Sequence, residues 1–324
     1  MDTQTERPLN VLDTEKVNPA TTEIDRMSPL EIVQAINAED AKVAQAVKQV
    51  LPQIALSIKE IAARLRRNGR LIYIGAGTSG RLGALDASEC PPTFNIPLDM
   101  VISCIAGGQQ ALDRACEDLE DCWEAGQKDL VSLDISEVDV VIGITASGRT
   151  PYVRSAIAYA RERGALTIGL ACNANAPLEK EVEIMITPVV GPEVITGSTR
   201  LKAGTAQKMV LNMLSTGTMI LLGKTFGNLM VDVQATNNKL QQRALSIVRH
   251  ATGLDQDAAR MLLEISGGEV KTAILVSRTN ISPEQARERL AAHDYILQAA
   301  LEATDGRCIG DGRDTSAPTA DRRL

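Results

Sequence analysis

Aromatic and histidine residues are scarce in this chain of 324 residues, and their scarcity excludes several kinds of function. Aromatic residues make up 2% of the sequence, too few for a surface that stacks nucleic-acid bases. The two histidines, His250 and His293, lie far down the chain, and no His, Cys and carboxylate spacing is typical of a metal site. We therefore expect no metal, no nucleic-acid partner and an aliphatic core.

The chain also lacks a positive charge excess, paired cysteines and a long apolar run. The net charge is -7, so no general basic field attracts nucleic acid or an anionic membrane. The six cysteines contain no C-x-x-C pair and the polar start has no apolar signal segment, which predicts a cytoplasmic protein. The apolar stretch Met209–Leu222 is interrupted by polar residues and falls short of the ~20 residues of a membrane span.

Five short apolar runs alternate with segments long enough to form helices. The runs are Leu71–Ile74, Met100–Ile105, Val138–Ile144, Leu166–Leu170 and Val182–Ile186. Continuous apolar strands separated by helices are typical of a parallel sheet that is covered on both faces. We therefore predict a three-layer α/β domain, in which ligands bind beyond the carboxyl ends of the strands.

Helical segments flank the predicted sheet. Ser28-Pro29-Leu30-Glu31 predicts a helix start, and helical spacing then persists to Arg67 as two helices divided near Pro52. A long apolar helix is predicted through Leu222, and a small helical unit begins near His250. The predicted units are an N-terminal arm (1–27), a main α/β domain with flanking helices (28–245), a small helical subdomain (246–302) and a flexible tail (303–324).

Two of the predicted strands run into loops rich in glycine and hydroxyl side chains. Gly75-Ala76-Gly77-Thr78-Ser79-Gly80 follows the first strand, and Thr145-Ala146-Ser147-Gly148-Arg149-Thr150 follows the third. Hydroxyls and free N–H groups at a helix start bind phosphate, and glycine lets the backbone approach the anion. Together the loops predict a phosphate gripped from two sides.

The glycines of the first loop also satisfy the G-x-G-x-x-G pattern of dinucleotide-binding proteins. Such a site requires an acidic residue at the end of the second strand, where this chain has Ala106-Gly107-Gly108. The second hydroxyl-rich loop has no role in that arrangement. The residues therefore favour one phosphate gripped by both loops over NAD.

Four segments have distinctive sequences: Gly75–Phe94 (GAGTSGRLGALDASECPPTF), Thr145–Val153, Val194–Lys208 (VITGSTRLKAGTAQK) and Phe226–Asn237 (FGNLMVDVQATN). Together they resemble the sugar isomerase (SIS) domain family and, within it, the N-acetylmuramic acid 6-phosphate etherases. The resemblance implies a flavodoxin-like SIS domain with helical N-terminal and C-terminal additions. It also implies a homodimer with sites near the subunit interface.

Etherases of this family remove D-lactate from N-acetylmuramate 6-phosphate, giving N-acetylglucosamine 6-phosphate in cell-wall sugar recycling. The resemblance implies that activity here, without a cofactor. Glu89 and Glu120 match the two catalytic acids of the family. The residues implied for the phosphate are Thr78, Ser79, Gly80, Thr145, Ser147, Gly148 and Thr150.

Spacing alone gives a plainer interpretation of the two acids. Glu120 is predicted on one helix from Gln109 to Glu124, on a solvated acidic face. Glu89 precedes Cys90-Pro91-Pro92, which is expected to end its helix. If the helix is continuous from Ser79, Glu89 lies ~15 Å away, which favours a role in a second subunit's site unless the chain folds back.

Two other functions remain open at this point. SIS domains also occur in regulators. In that case the chain would be a non-catalytic phosphosugar sensor. An aldose–ketose isomerase would use a Glu base but needs no lactyl pocket.

Overall fold

The computed structural model describes residues 12–114, 117–233 and 238–303. It contains a parallel sheet of five strands in the order β2-β1-β3-β4-β5. The strands are β1 (Leu71–Gly75), β2 (Val101–Ile105), β3 (Val140–Ile144), β4 (Leu166–Leu170) and β5 (Ile184–Ile186), and a separate antiparallel pair is formed by β6 (Thr225–Phe226) and β7 (Leu229–Met230). This order is the flavodoxin-like one, which confirms the predicted sheet and its five apolar runs.

Helices lie before, between and after the strands. They are α1 (Pro29–Asp40), α2 (Val43–Lys48), α3 (Leu51–Leu65), α4 (Gly77–Phe94), α5 (Glu117–Glu120), α6 (Trp123–Val131), α7 (Pro151–Glu162), α8 (Lys202–Leu221), α9 (Asn238–Thr252), α10 (Gln256–Ile265), α11 (Val270–Thr279), α12 (Pro283–Ala292) and α13 (Leu297–Glu302). Among the described residues, none of these helices is both long and apolar enough to span a membrane.

The two faces of the sheet have separate apolar cores, because successive strand residues point to opposite sides. Tyr73 and Ile142 face α3, α4 and α8, while Ile72 and Val141 face α6 and α7. β1 and β3 are buried at every position, so their side chains are apolar at successive positions rather than at alternate ones. Helices on both sides complete the three-layer architecture.

The predicted helix start at Ser28 is confirmed. The Ser28 hydroxyl accepts a hydrogen bond from the Glu31 N–H, and the Glu31 carboxylate accepts one from the Ser28 N–H. The following segment forms three helices rather than the predicted two, since the chain turns between α1, α2 and α3. Pro52 lies in the first turn of α3, where its missing N–H costs no helical hydrogen bond.

Two predicted helix boundaries are wrong. Pro91 and Pro92 do not end α4, which continues to Phe94 and ends at Asn95 with a left-handed backbone. The fixed φ of proline suits a helix, and losing two hydrogen bonds near its end is tolerated because Cys90 and Phe94 are buried against the core. The predicted helix over 109–124 is instead a 3-10 turn at Gly108–Leu112 followed by the separate helices α5 and α6.

The C-terminal helices α9 to α13 enclose an apolar core of their own. Val248, Ala273 and Leu297 are buried in it, together with Val231 from the loop after β7. The predicted division at residue 245 falls inside α9, and the division into units stays a prediction. The predicted tail, apart from Ala303, lies outside the described residues.

Candidate active site

The two hydroxyl-rich loops lie side by side at the carboxyl edge of the sheet. β1 and β3 are neighbours, and Gly75 is in register with Ile144. The chain leaves both strands at the same level, so Thr78–Gly80 and Thr145–Thr150 begin next to each other. This placement follows from the strand order, since parallel neighbours end at one edge.

Glycine is required where α4 meets β1. A Cβ atom on Gly80 would lie 2.7 Å from the Gly75 carbonyl oxygen and 2.6 Å from Ile105. Only a residue without a side chain lets the helix start this close to the strand. The N-cap position is Ala76, and no side chain caps α4 there. The positive end of this helix therefore faces the strand edge without a capping side chain.

Ser79 lies in the first turn of α4 and contacts α8 rather than acting as a helix cap. Its hydroxyl donates a hydrogen bond of 3.0 Å to Oε1 of Gln207, and both residues are buried. Thr78 lies beside Gly204, at the start of α8. The first loop is thus held between the sheet and the long helix.

Hydroxyl groups of the second loop form a connected chain. The Oγ1 atoms of Thr145 and Thr150 are 2.8 Å apart, and Thr145 Oγ1 also accepts the Gly148 N–H. Ser147 Oγ accepts the N–H of Arg149 at 3.1 Å. Gly148 has φ of 69°, a left-handed backbone that favours glycine.

Glu120 joins this chain of hydroxyls. Thr150 Oγ1 donates a hydrogen bond of 3.2 Å to Glu120 Oε1, and the Glu120 side chain is half-buried. The interpretation of Glu120 as part of a solvated acidic helix face is therefore wrong. Glu120 belongs to the separate short helix α5, which packs against α7 directly after the second loop.

A count of protons shows which hydroxyl is left for a ligand. A threonine hydroxyl has one proton to donate, and that of Thr150 goes to Glu120. In the close pair of hydroxyls Thr145 is then the donor, so its proton is used as well. Ser147 accepts from Arg149 with a lone pair, and its own proton has only Thr145 Oγ1 as acceptor, at 3.4 Å, the longest of these contacts, so it is the proton most easily redirected to a ligand. Ser147 is half-buried, as a residue that contacts a ligand at this edge must be.

Glu89 is not placed with these groups. It is exposed on α4, and α4 is helical without interruption from Ser79 to Glu89. Ten residues at ~1.5 Å each put it ~15 Å along the helix from the first loop. The neighbouring Asp86 is buried instead and accepts hydrogen bonds from Tyr73, Asn212 and Ser215, which fixes α4 against α8.

The N-terminal segment also reaches the second loop. Thr14 is buried and exchanges hydrogen bonds with the side chain of Asn173, whose Nδ2 atom donates to the Ala146 carbonyl at 2.8 Å. Thr21 donates to the carbonyl of Val194. Residues 12–21 therefore pack on the body of the protein, close to the second loop.

Sequence patterns alone do not single out Gln207 or Asn173. The only available signal for Gln207 is a polar side chain on an apolar helix inside Val194–Lys208, one of the segments that carry the family resemblance. Asn173 follows β4 and gives no signal that separates it from an ordinary turn residue. Among the described residues, no group of three His, Cys, Asp or Glu side chains is arranged to hold a metal ion.

Comparisons with known proteins agree with this architecture. The SIS domain model matches residues 123–217, and the model of the glucokinase regulatory protein N-terminal SIS domain matches residues 53–161. The N-acetylmuramic acid 6-phosphate etherase of Serratia proteamaculans is 55% identical over 293 residues, covering 90% of this chain and 99% of that protein. The chain belongs to the N-acetylmuramic acid 6-phosphate etherase family.

Other members of the etherase family show similar agreement. N-acetylmuramic acid 6-phosphate etherase 2 of Vibrio parahaemolyticus is 55% identical, covering 90% of this chain and 98% of that protein. Among solved structures, a phosphoheptose isomerase from Francisella tularensis has a TM-score of 0.45 and 16% identity, covering 60% of this chain and all of that one. The relatives of 55% identity are etherases, and they do not favour the regulator or the isomerase alternative.

Proposed function

We propose that the chain is a lyase that cleaves the D-lactyl ether of N-acetylmuramate 6-phosphate. The products are N-acetylglucosamine 6-phosphate and D-lactate, as in the recycling of cell-wall sugars. Membership of the etherase family over 90% of the chain supports this activity. The observation that carries it to particular residues is the hydrogen bond from Thr150 to Glu120, which joins a carboxylate to the predicted phosphate loop.

The reaction needs a base and an acid. In the open form of the sugar, the aldehyde at C1 acidifies the hydrogen on C2. A base removes that proton, a double bond forms between C2 and C3, and the C3–O bond breaks as the lactate oxygen takes a proton from the acid. Water then adds at C3 and a proton returns to C2, so one water is consumed for each lactate released.

Glu120 has the surroundings of a base. Thr150 donates a hydrogen bond to Glu120 Oε1, which holds the carboxylate beside the second loop. A charged carboxylate next to the phosphate loop accepts the C2 proton of a sugar held by its phosphate. Ser79, Ser147 and the start of α4 are the groups we propose for that phosphate, with Thr78, Gly80, Thr145, Gly148 and Thr150 shaping the two loops.

Glu89 then acts as the acid, in a site shared between two subunits. It is exposed and ~15 Å from the phosphate end of its own helix, farther than a monosaccharide phosphate extends. A homodimer that brings Glu89 of one subunit to the loops of the other resolves this distance.

The test of the activity is a lactate assay with N-acetylmuramate 6-phosphate. We expect lactate from the parent protein and a fall of ~10²–10⁴-fold in kcat for Glu120→Gln, because a single general acid or base contributes this much. Glu89→Gln is expected to fall by a similar factor. Glu124→Gln, which changes an exposed acid nearby, is the matched control. Absence of lactate from the folded parent would overturn the function, and full activity in either Gln variant would remove the role of that residue.

The shared site is tested by mixing subunits. Chains with Glu89→Gln are combined with chains carrying Glu120→Gln, and mixed dimers are isolated by two affinity tags. In a shared arrangement each mixed dimer has one site with both acids and one site with neither. Activity therefore recovers to about half of the parent value. No recovery in isolated mixed dimers would contradict the shared arrangement.

The cytoplasmic location and the division into arm, SIS domain, helical subdomain and tail are kept as proposals. In the described part of the chain Cys90, Cys104, Cys122 and Cys172 are free thiols, which supports a reducing location such as the cytoplasm. Burial raises the pKa of the Cys90 and Cys104 thiols to about 12, so both stay protonated and unreactive at neutral pH.

A further inference from the structure

The side chain of Gln207 is buried and only half satisfied. It is 1% exposed, and its Oε1 atom accepts the hydroxyl proton of Ser79 at 3.0 Å. Its Nε2 atom is buried and has no hydrogen-bond partner in the described part of the chain. A buried amide N–H without a partner is unusual, since buried polar groups are almost always paired.

The same contact leaves Ser79 unable to serve a phosphate. Serine has one proton, and here it is donated to Gln207. A fully ionised phosphate oxygen accepts hydrogen bonds and donates none, so it needs that proton. Ser79 lies in the first turn of α4, at the helix end that the sequence and the loop geometry assign to the phosphate.

Turning the Gln207 amide over resolves the second problem, because it releases the Ser79 proton. Its oxygen and nitrogen ends have nearly the same shape, and rotation about the last side-chain bond is two-fold and soft. In the turned orientation Nε2 donates to Ser79 Oγ, and the Ser79 proton is free to point at the phosphate. We infer that Gln207 is a positioning residue that controls phosphosugar affinity by setting the direction of the Ser79 hydroxyl. This inference rests on the proposed function.

Gln207 and Ser79 are 128 positions apart in the sequence, so the fold alone brings them together. Gln207 is on α8, whose first turn also lies beside Thr78 at Gly204. Its Nε2 atom is too buried to reach a ligand itself, so any effect on the ligand passes through Ser79. Loss of Gln207 should therefore change binding and leave the chemical step alone.

The test measures binding and catalysis separately in Gln207→Leu, Ser79→Ala and the double variant. Binding of N-acetylglucosamine 6-phosphate, which holds the phosphate without reacting, is measured by titration calorimetry, and kcat and KM by lactate release. Gln207→Leu is expected to weaken binding and raise KM about tenfold, with kcat within twofold, because a hydrogen bond to a charged group is misdirected. The double variant is expected to bind no more weakly than Ser79→Ala.

Two further variants separate this role from packing. Gln207→Glu has the same shape but accepts only, so it is expected to bind at least as weakly as Gln207→Leu. Thr218→Val removes another buried polar atom without a partner from the same helix, eleven residues away, and is expected to bind like the parent. Thermal unfolding of each variant checks that it is folded.

Unchanged binding in Gln207→Leu, parent-like binding in Gln207→Glu, or additive losses in the double variant would each overturn the inference. A parent that binds the phosphosugar but releases no lactate would contradict the proposed function instead. The calorimetric comparison would still decide the role of Gln207 in that case.

Discussion

Glu39 and Lys202 form an ion pair inside the protein, and its removal from one side should destabilise the fold. Their side chains are 4% and 1% exposed, and Lys202 Nζ lies 2.5 Å from Glu39 Oε2. Burial raises the pKa of Glu39, but hydrogen bonds from Lys202, Lys42 and Asn18 outweigh it and lower the pKa to about 2 from 4.5. At ~1.4 kcal/mol per pH unit, this lowering corresponds to about 3 kcal/mol of stability.

The variant Lys202→Met should therefore lower the free energy of unfolding by about 3 kcal/mol, because it leaves a buried carboxylate without its main partner. Glu39→Leu combined with Lys202→Met should recover most of the loss, since an apolar pair fills the same space. Lys42→Met is the matched control, because Lys42 contacts the same carboxylate but is 61% exposed. Its expected effect is below ~1 kcal/mol.

Denaturant unfolding at neutral pH and in acid measures these differences. The folded pKa of Glu39 is below its ordinary value, so its contribution is complete above about pH 4.5 and is lost as the pH falls toward 2. The parent should lose stability over this range more steeply than the double variant. Lys202→Met within 1 kcal/mol of the parent, or equal acid sensitivity in parent and double variant, would refute the reasoning.

Two more substitutions test the packing of α4. Gly80→Ala puts a Cβ atom 2.7 Å from the Gly75 carbonyl and 2.6 Å from Ile105, so α4 must move; we expect a loss of several °C in Tm and a raised KM for the phosphosugar. Parent-like values for both would contradict the close approach. Asp86→Ala leaves the buried Tyr73 hydroxyl without its acceptor, and we expect a loss of about 2–4 kcal/mol in denaturant unfolding. An effect below ~1 kcal/mol would contradict the buried network.

The sheet and the edge at which the loops meet are predictable from the sequence. From Val140 to Ile144 the third apolar run has no polar side chain, as expected for a strand that is buried on both faces. The spacing of the apolar runs leaves room for helices and so makes the strands parallel. The two glycine and hydroxyl loops are visible because turns at strand ends have strong residue preferences.

The position of Glu120 is not predictable from spacing. A helical pattern over 109–124 places it on a solvated face, whereas the structure has a 3-10 turn at Gly108–Leu112 and a separate α5 whose Glu120 accepts a hydrogen bond from Thr150. The packing of α5 against α7 is a tertiary contact, which helix periodicity does not record. Pro91 and Pro92 show the opposite case, where burial of the helix end outweighs the local preference to stop.

Contacts between segments that are distant in the sequence are also not predictable from sequence patterns. Gln207 meets Ser79 across 128 positions, and Thr14 meets Asn173 across 159. Both depend on how α8 and the N-terminal segment fold back onto the sheet. The family resemblance points to the segment that contains Gln207 but gives no reason for that residue.

The most direct test of the proposed reaction follows an isotope through it. The reaction is run in water enriched in oxygen-18, and both products are analysed by mass spectrometry. Elimination followed by addition of water at C3 places one heavy oxygen at C3 of N-acetylglucosamine 6-phosphate, counted apart from the oxygen that the C1 aldehyde exchanges with water, and none beyond background in lactate. Heavy oxygen in the lactate hydroxyl instead would mean that water attacks the lactyl carbon, and it would contradict the account.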